Sequence, residues 1–344
     1  MKTIRKPICI ILMLLMLSSV FLMNTSAVTV HVEDFRFDID SSTNEATIVE
    51  YTGDLSDLII PTKVYDYDVT AIGASAFSGN DTLKSVTIPS TIHTIGDNAF
   101  INCTALENIV IPQTVTTLGK SVFLNCSSLK SAQVEADIDI LPQGTFQNCT
   151  SLETVVLSDS ITTVKNLTFY NCESLSDVAF IENITSIGQS AFYNIGAQEI
   201  VLSENLQSIG RYTFAECKNL LKITISDNVQ SIDKTAFKNS YDVTICCNTD
   251  SIAHVFATEN VIDYILLDAV DKGILGDVDG DNNVSIMDAT KIQMVVAQLK
   301  TFTEQEKLRA DVDGDTEISV IDATAIQMHL AQKSIDYPIG QPIQ

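Results

Sequence analysis

The chain has 344 residues, is 45% hydrophobic, and carries 20 Lys and Arg against 44 Asp and Glu, a formal net charge of −24. A chain this apolar is not a disordered polyelectrolyte, its length allows two or three domains, and its charge repels nucleic acid and anionic membrane, which sets both aside as partners. It has no Trp, the most effective side chain for stacking on sugar rings.

At the N-terminus, Lys2, Arg5 and Lys6 precede an almost wholly apolar run from Ile8 to Leu22, and Thr25-Ser26-Ala27 supplies small residues for cleavage after Ala27. Residues 1–27 therefore read as an export signal. The run is short for a membrane anchor, and polar Asn24 and Thr25 follow it. The expectation is a secreted protein with no membrane span after signal removal, and loss of those three cations would move the charge from −24 to −27.

Phenylalanines then recur at Phe77, Phe100, Phe123, Phe146, Phe169, Phe192, Phe214 and Phe237, 23 residues apart except for one interval of 22. Six residues after them stand Leu83, Leu106, Leu129, Leu152, Leu175 and Leu220, and apolar residues also recur at offsets +9, +11 and +18. A unit this short cannot bury its apolar side chains alone, but stacked units bury one another's. Spacing such as Leu152-x-x-Val155-x-Leu157 suits a short strand with its apolar side inward. The fold class this predicts is a mainly β solenoid of about 23-residue repeats, with one parallel sheet along the stack and a return side near Ile92, Ile95 and Gly96.

The cysteines fall on the same period. Cys103, Cys126, Cys149, Cys172 and Cys217 sit at offset +3, the first four each preceded by Asn, and are expected to form a buried ladder of thiols beside asparagines that bond turn backbone. Parallel side chains do not converge on one metal, so zinc is set aside. At offset +7, Lys84, Glu107, Lys130 and Glu153 alternate in sign and should meet across neighbouring strands. At offset +10, Thr87, Val110, Gln133, Val156, Ala179, Val201 and Thr224 point outward yet are small and partly apolar, which makes this row the candidate ligand surface.

The stretch Ala99–Gly119, "AFINCTALENIVIPQTVTTLG", resembles the leucine-rich repeats of the BspA type, and Gly53–Phe77 and Thr249–Leu267 are similar to that family's opening and closing segments. The resemblance implies a leucine-rich-repeat solenoid with N- and C-terminal caps over residues 28–267. It says little about the ligand, because members mostly bind things and differ in what they bind.

A second pattern follows an acidic linker, 268–275. "GDVDGDNNVSIMDATKIQMVVAQ" from Gly276 recurs as "ADVDGDTEISVIDATAIQMHLAQ" from Ala310. Each copy opens with a loop of calcium-binding spacing. The candidate ligands are Asp277, Asp279, Asp281, Ser285 and Asp288 in the first, with Asn283 offering its carbonyl; the second has Asp311, Asp313, Asp315, Ser319 and Asp322, with the Glu317 carbonyl. Four carboxylates within twelve residues repel one another unless a cation lies among them, so two Ca2+ ions are expected. The loops depart from EF-hands in having Asp at position 12, and at position 6, normally Gly, they carry Asn282 and Thr316.

A calcium loop followed by one helix, twice, resembles the type I dockerin, here residues 276–336. That resemblance implies a small all-α module whose partner is a cohesin domain of a scaffold protein in a cellulosome-like complex. It also implies contact through loop positions 10 and 11, here Ile286, Met287, Val320 and Ile321. The sequence holds no phosphate loop, zinc spacing or nucleophile elbow. The expected function is therefore a secreted, non-catalytic binding or adhesion protein in polysaccharide degradation, whose solenoid takes a polysaccharide or cell-surface ligand. The alternative is a glycoside hydrolase or enzyme inhibitor carried by the same module.

Overall fold

The computed structural model describes residues 28–268, 273–333, 337–341 and 343. The export signal expected at 1–27 lies outside them, as do residues 269–272 of the linker. The chain divides into two compact units that meet between Ile265 and Leu266.

In the first unit the apolar period becomes two lines of parallel strands. On one side Asp57–Ile59, Ser85–Thr87, Asn108–Ile111, Ser131–Val134 and Thr154–Leu157 pair in order, with Ala132 opposite both Ile109 and Val155. On the return side two-residue strands such as Thr94–Ile95 and Thr117–Leu118 pair one repeat apart. Between the lines the phenylalanines from Phe77 to Phe214 are fully buried and stack nearly parallel, with centroids 4.8 Å apart at Phe77–Phe100 and 5.7 Å at Phe192–Phe214. Elements outside the repeat close this column. At its N-terminal end Val28–Val32, Phe35–Asp40 and Glu45–Tyr51 form an antiparallel meander that sets Tyr51 on Phe77. At its C-terminal end helix α1 (Ile252–Asn260) sets Phe256 on Phe237.

The single sheet expected along the stack is instead two. After Thr154–Leu157 only an isolated bridge, Thr154 to Asp177, continues the pairing, and Ala179–Asn183 is a short 3-10 helix. The repeat that departs is the one with an apolar residue where others carry Pro, Glu or Ser. Ile181 is fully buried, and Phe180 leans on Phe169 and Phe192 at 5.4 and 6.3 Å. Burying Ile181 beside the half-buried Phe180 needs a helical turn, because a strand sends neighbours to opposite faces. Strands resume at Glu199–Val201 and continue through Lys222–Thr224 and Thr244–Cys247 to Asp263–Leu266.

The turns are held by two side-chain ladders. Asn102, Asn125, Asn148, Asn171 and Asn194 all take φ between 54° and 63°, a left-handed conformation that Asn tolerates. Their amides bond one another rather than the turn backbone expected from the sequence, Asn125 Nδ2 donating to Asn102 Oδ1 and Asn148 Nδ2 to Asn125 Oδ1, both at 2.8 Å. The five offset +3 cysteines are unbridged, fully buried, and donate to carbonyls of the preceding coil, among them Cys103 Sγ to Phe77 O at 3.1 Å, Cys149 Sγ to Phe123 O at 3.1 Å and Cys217 Sγ to Phe192 O at 3.2 Å. Burial pushes their thiols up, Cys103 to about 12 and Cys217 to about 11. At the equivalent place in the last coil Ser240 Oγ donates to Phe214 O at 2.7 Å. The offset +3 position thus accepts a thiol or a hydroxyl donor, and after Phe192 it is filled by buried Ile195, which donates nothing.

Glycines mark where coils approach most closely on the return side: a Cβ on Gly119 would lie 2.4 Å from the Asp97 nitrogen. The charge ladder also forms, with Lys130 Nζ 2.9 Å from Glu107 and Lys84 acting on Glu107 from the other side.

In the second unit α2 (Ile286–Val296) packs against α4 (Val320–Leu330) over a core of Val278, Ala289, Ile292, Ala310, Val312 and Ile326. A third helix, α3 (Glu304–Ala310), leads straight into the second loop. It was not foreseen, although Thr303 and Glu306 form a capping box that the sequence displays. The compact unit reaches beyond 336: Ile339 enters the core, and Leu275 exchanges backbone hydrogen bonds with Gly340 and Gln341, both at 2.9 Å.

Replacing the thiol tests the donor role. Cys149→Ala removes one of the two donors to the Phe123 carbonyl, which keeps the Cys126 amide, and should cost about 0.5–1.5 kcal/mol. Cys149→Ser keeps a donor, as Ser240 does, and thermal unfolding should place its midpoint above that of the alanine variant.

Candidate calcium loops and exposed faces

The first loop is built by backbone amides pointing at carboxylates. Asp277, nearly fully buried, accepts from Gly280 and Asp281 through Oδ1 and from Asn282 through Oδ2. Asp279 and Asp281 each accept from the amide two residues on, which bends the chain into a ring. Glycines at position 4, Gly280 (φ 79°) and Gly314 (φ 74°), and position 6, Asn282 (φ 66°) and Thr316 (φ 71°), supply the left-handed turns. The result converges: one oxygen each from Asp277, Asp279 and Asp281 lies within 4.8 Å of the others, and the same holds for Asp311, Asp313 and Asp315.

The remaining predicted ligands sit at the loop–helix junction. Ser285 caps α2, accepting from Met287 N, and donates its hydroxyl to Asp288. Fully buried Asp288 accepts from Asp279 N at 3.0 Å and Ser285 N at 2.8 Å. Ser319 and fully buried Asp322 repeat this arrangement on α4. The side chains of Asn283 and Glu317 play no part in the ring; their amides donate to Asp281 and Asp315.

Two observations fit a hard divalent cation. Asp311 Oδ1 is buried without a hydrogen-bond partner, an arrangement that is costly unless something positive meets it. In the first loop burial, and then the charge of Asp288, hold the Asp279 carboxyl above the usual range. An oxygen-only donor set of this kind suits Ca2+ rather than a softer metal.

The four positions ascribed to partner contact are all exposed: Ile286, Met287, Val320 and Ile321 keep 55–61% of their surface. None packs under its own helix. Among the positions that differ in chemistry between the two halves, one changes the supporting contacts. Lys291 bonds Glu306 at 2.8 Å and the Val278 carbonyl at 3.2 Å, while its counterpart Ala325 is buried.

On the solenoid, Thr87, Val110, Gln133 and Val156 form one outward row, with Val201 and Thr224 on the later sheet. Ala179 leaves the row because it opens the 3-10 helix. Sequence reasoning missed Ile59, which pairs with Thr87 and is more exposed, at 76%, than Val110, Val156 or Val201. It precedes the first Phe of the period, but "LIIP" beside "VTIP" and "IVIP" carried the signal.

Fold and loops together define a leucine-rich-repeat solenoid joined to a paired calcium-loop module. The model of the BspA type leucine rich repeat region matches residues 48–166 and 139–259 in six copies, more than half of the chain, and the protein belongs to that family. The dockerin type I domain matches residues 275–331, which implies cellulosome association and cohesin binding. Among solved structures the chain is similar to a leucine-rich repeat protein from Bacteroides ovatus, at 19% identity over 63% of this chain and 70% of that one, with a TM-score of 0.47. A leucine rich cell surface protein from Faecalibacterium prausnitzii is 21% identical over 70% of this chain and 95% of that one, with a TM-score of 0.36. A leucine-rich repeat protein from Eubacterium ventriosum is 27% identical over 61% and 49%, with a TM-score of 0.44. No curated protein matches. Among the described residues, no helix is long and apolar enough to cross a membrane.

The backbone at position 6 makes the two loops unequal. β-Branched Thr316 is penalised by about 1–2 kcal/mol in a left-handed conformation, and Asn282 much less. Thr316→Gly should tighten the second site about 5- to 30-fold in calorimetric calcium titration, and Asn282→Gly should change the first far less. Equal gains would show that turn strain does not separate the sites.

Proposed function

We propose that this is a secreted, non-catalytic binding protein. Its solenoid takes a polysaccharide or cell-surface ligand on the outward strand row, and its dockerin attaches it to a cohesin on an extracellular scaffold when two Ca2+ ions are bound. The observation that carries the docking half is the twofold exposure of an apolar pair at the start of a capped helix. Ile286 and Met287 on α2, and Val320 and Ile321 on α4, are large side chains left in water beside an otherwise acidic loop.

The chain's own residues supply the coupling to metal. Asp277 and Asp288, and Asp311 and Asp322, tie each loop to its helix through backbone amides. Whatever fixes the carboxylates therefore also fixes where the apolar pair stands. A bound cation would supply the positive charge that lets these carboxylates crowd, so that binding free energy becomes folding free energy. The solenoid reading rests on a shallow, open strand face with Ile59, Val110 and Val156 exposed, a form suited to binding an extended ligand. No observation favours the enzyme or inhibitor reading over this one.

Docking is tested with immobilised type I cohesin domains, in calcium and in EDTA. Binding should vanish in EDTA, and Met287→Asp combined with Ile321→Asp should weaken it at least 100-fold in calcium, since either half alone could rotate into place. Binding that survives EDTA overturns the coupling, and a double variant that binds like the parent overturns the contact residues. For the solenoid, Val110→Glu with Val156→Glu should abolish retention on whichever plant cell-wall polymer or cell surface retains the parent chain. Undiminished retention would move the ligand surface elsewhere.

A further inference from the structure

Away from the strand row, on the turn side of the fifth to seventh coils, three tyrosines gather. Tyr170 and Tyr193, each following a ladder phenylalanine, stack with centroids 4.5 Å apart and planes at 11°. With Tyr212 they line a cleft of about 280 Å³, completed by Glu216, Lys238 and Asn239. This is at the small end of ligand-sized clefts. Two cations attend the Tyr212 ring, Arg211 Cζ at 5.8 Å and Lys238 Nζ at 5.9 Å from its centroid. Neither is in an ion pair among the described residues.

The sequence that runs through this part of the solenoid is unusual for this chain. Residues 211–238 hold Arg211, Lys218, Lys222, Lys234 and Lys238 against only Glu216, Asp227 and Asp233, in a protein of net charge −24. Glu216 is itself engaged: it accepts from Asn239 Nδ2 and lies 3.8 Å from Lys218 Nζ. The cleft thus combines flat aromatic faces, a fixed carboxylate and amide at its edge, and the Lys238 ammonium in its lining, with Arg211 beside it over the Tyr212 ring. The ring faces suit the C–H face of a pyranose, the Glu216 and Asn239 groups suit its hydroxyls, and Arg211 and Lys238 suit a carboxylate. A neutral sugar would leave the cations unused. An acidic peptide would use the cations but not the flat stack with a polar rim.

We propose that this cleft binds an acidic sugar, a uronate residue of a polysaccharide, separately from the strand row. The test is calorimetric titration of the full chain, in saturating calcium, with tri-galacturonate. Xylotriose, cellotriose and tri-glutamate serve as neutral-sugar and acidic-peptide comparisons. Tri-galacturonate should bind at least tenfold more tightly than the other three, and weaken as salt is raised. Arg211→Gln with Lys238→Gln should weaken it at least tenfold. Tyr212→Asn should do the same, with the ring removed at a backbone position (φ 55°) that Asn adopts readily. Val110→Glu with Val156→Glu should leave it unchanged, which separates this cleft from the strand row. Unchanged thermal midpoints verify the fold of each variant. Equal binding of xylotriose or tri-glutamate overturns the proposal. So does the absence of tri-galacturonate binding, or binding that survives both the charge and ring variants, as calcium bridging to the aspartate loops would.

Discussion

A phenylalanine at one place in every coil has nowhere to go except against the phenylalanine of the next coil. That contact sets the coil spacing and with it everything else in the first unit. Centroids 4.8–5.7 Å apart bring backbones into register for parallel pairing on both sides, and bring offset +3 thiols under the carbonyls of the preceding coil. Because each coil contacts only its neighbours, stability is a sum of local interfaces, and the two ends are the weak points. The meander around Tyr51 and the helix carrying Phe256 answer this by presenting an aromatic ring to the terminal phenylalanine of the column, Phe77 or Phe237, without repeating the coil.

The second unit rests on the opposite kind of constraint. Its core is small, and its loops concentrate carboxylates, so repulsion opposes the geometry that amide donors impose. The buried, unpartnered Asp311 Oδ1 is where that opposition is most visible. The two halves share helix, cap and exposed apolar pair, yet Lys291 anchors α2 to Glu306 and to the first loop's carbonyl while Ala325 does neither. The pseudo-symmetry is thus one of surfaces more than of supporting contacts.

Much of this was legible in the sequence because it repeats. Phe, Leu and Cys at fixed offsets define a coil once, and every further coil restates it. The duplicated Asp-rich segment does the same for the loops. What escaped was what occurs once. Ile181 broke the sheet through a single apolar substitution at a position otherwise polar or Pro. Ile59 lay ahead of the first Phe, and α3 was hidden by its shortness despite its capping box. The asparagine ladder was seen but given the wrong partner, because a left-handed backbone turns each amide toward the next coil's amide and away from its own turn. The tyrosines of the turn side share no complete period, since Tyr212 precedes its phenylalanine by two residues and Tyr170 and Tyr193 follow theirs by one.

The sealed thiols have a wider consequence. Each of Cys103, Cys126, Cys149, Cys172 and Cys217 directs its hydrogen at a carbonyl, and burial keeps it protonated. Thiolate is the form that attacks disulfides, oxidants and soft metals. The ladder therefore forms without an oxidant or a disulfide isomerase. Among these five there is no cross-link to lose in a reducing environment and no ready nucleophile to damage in an oxidising one, so the ladder is indifferent to redox poise.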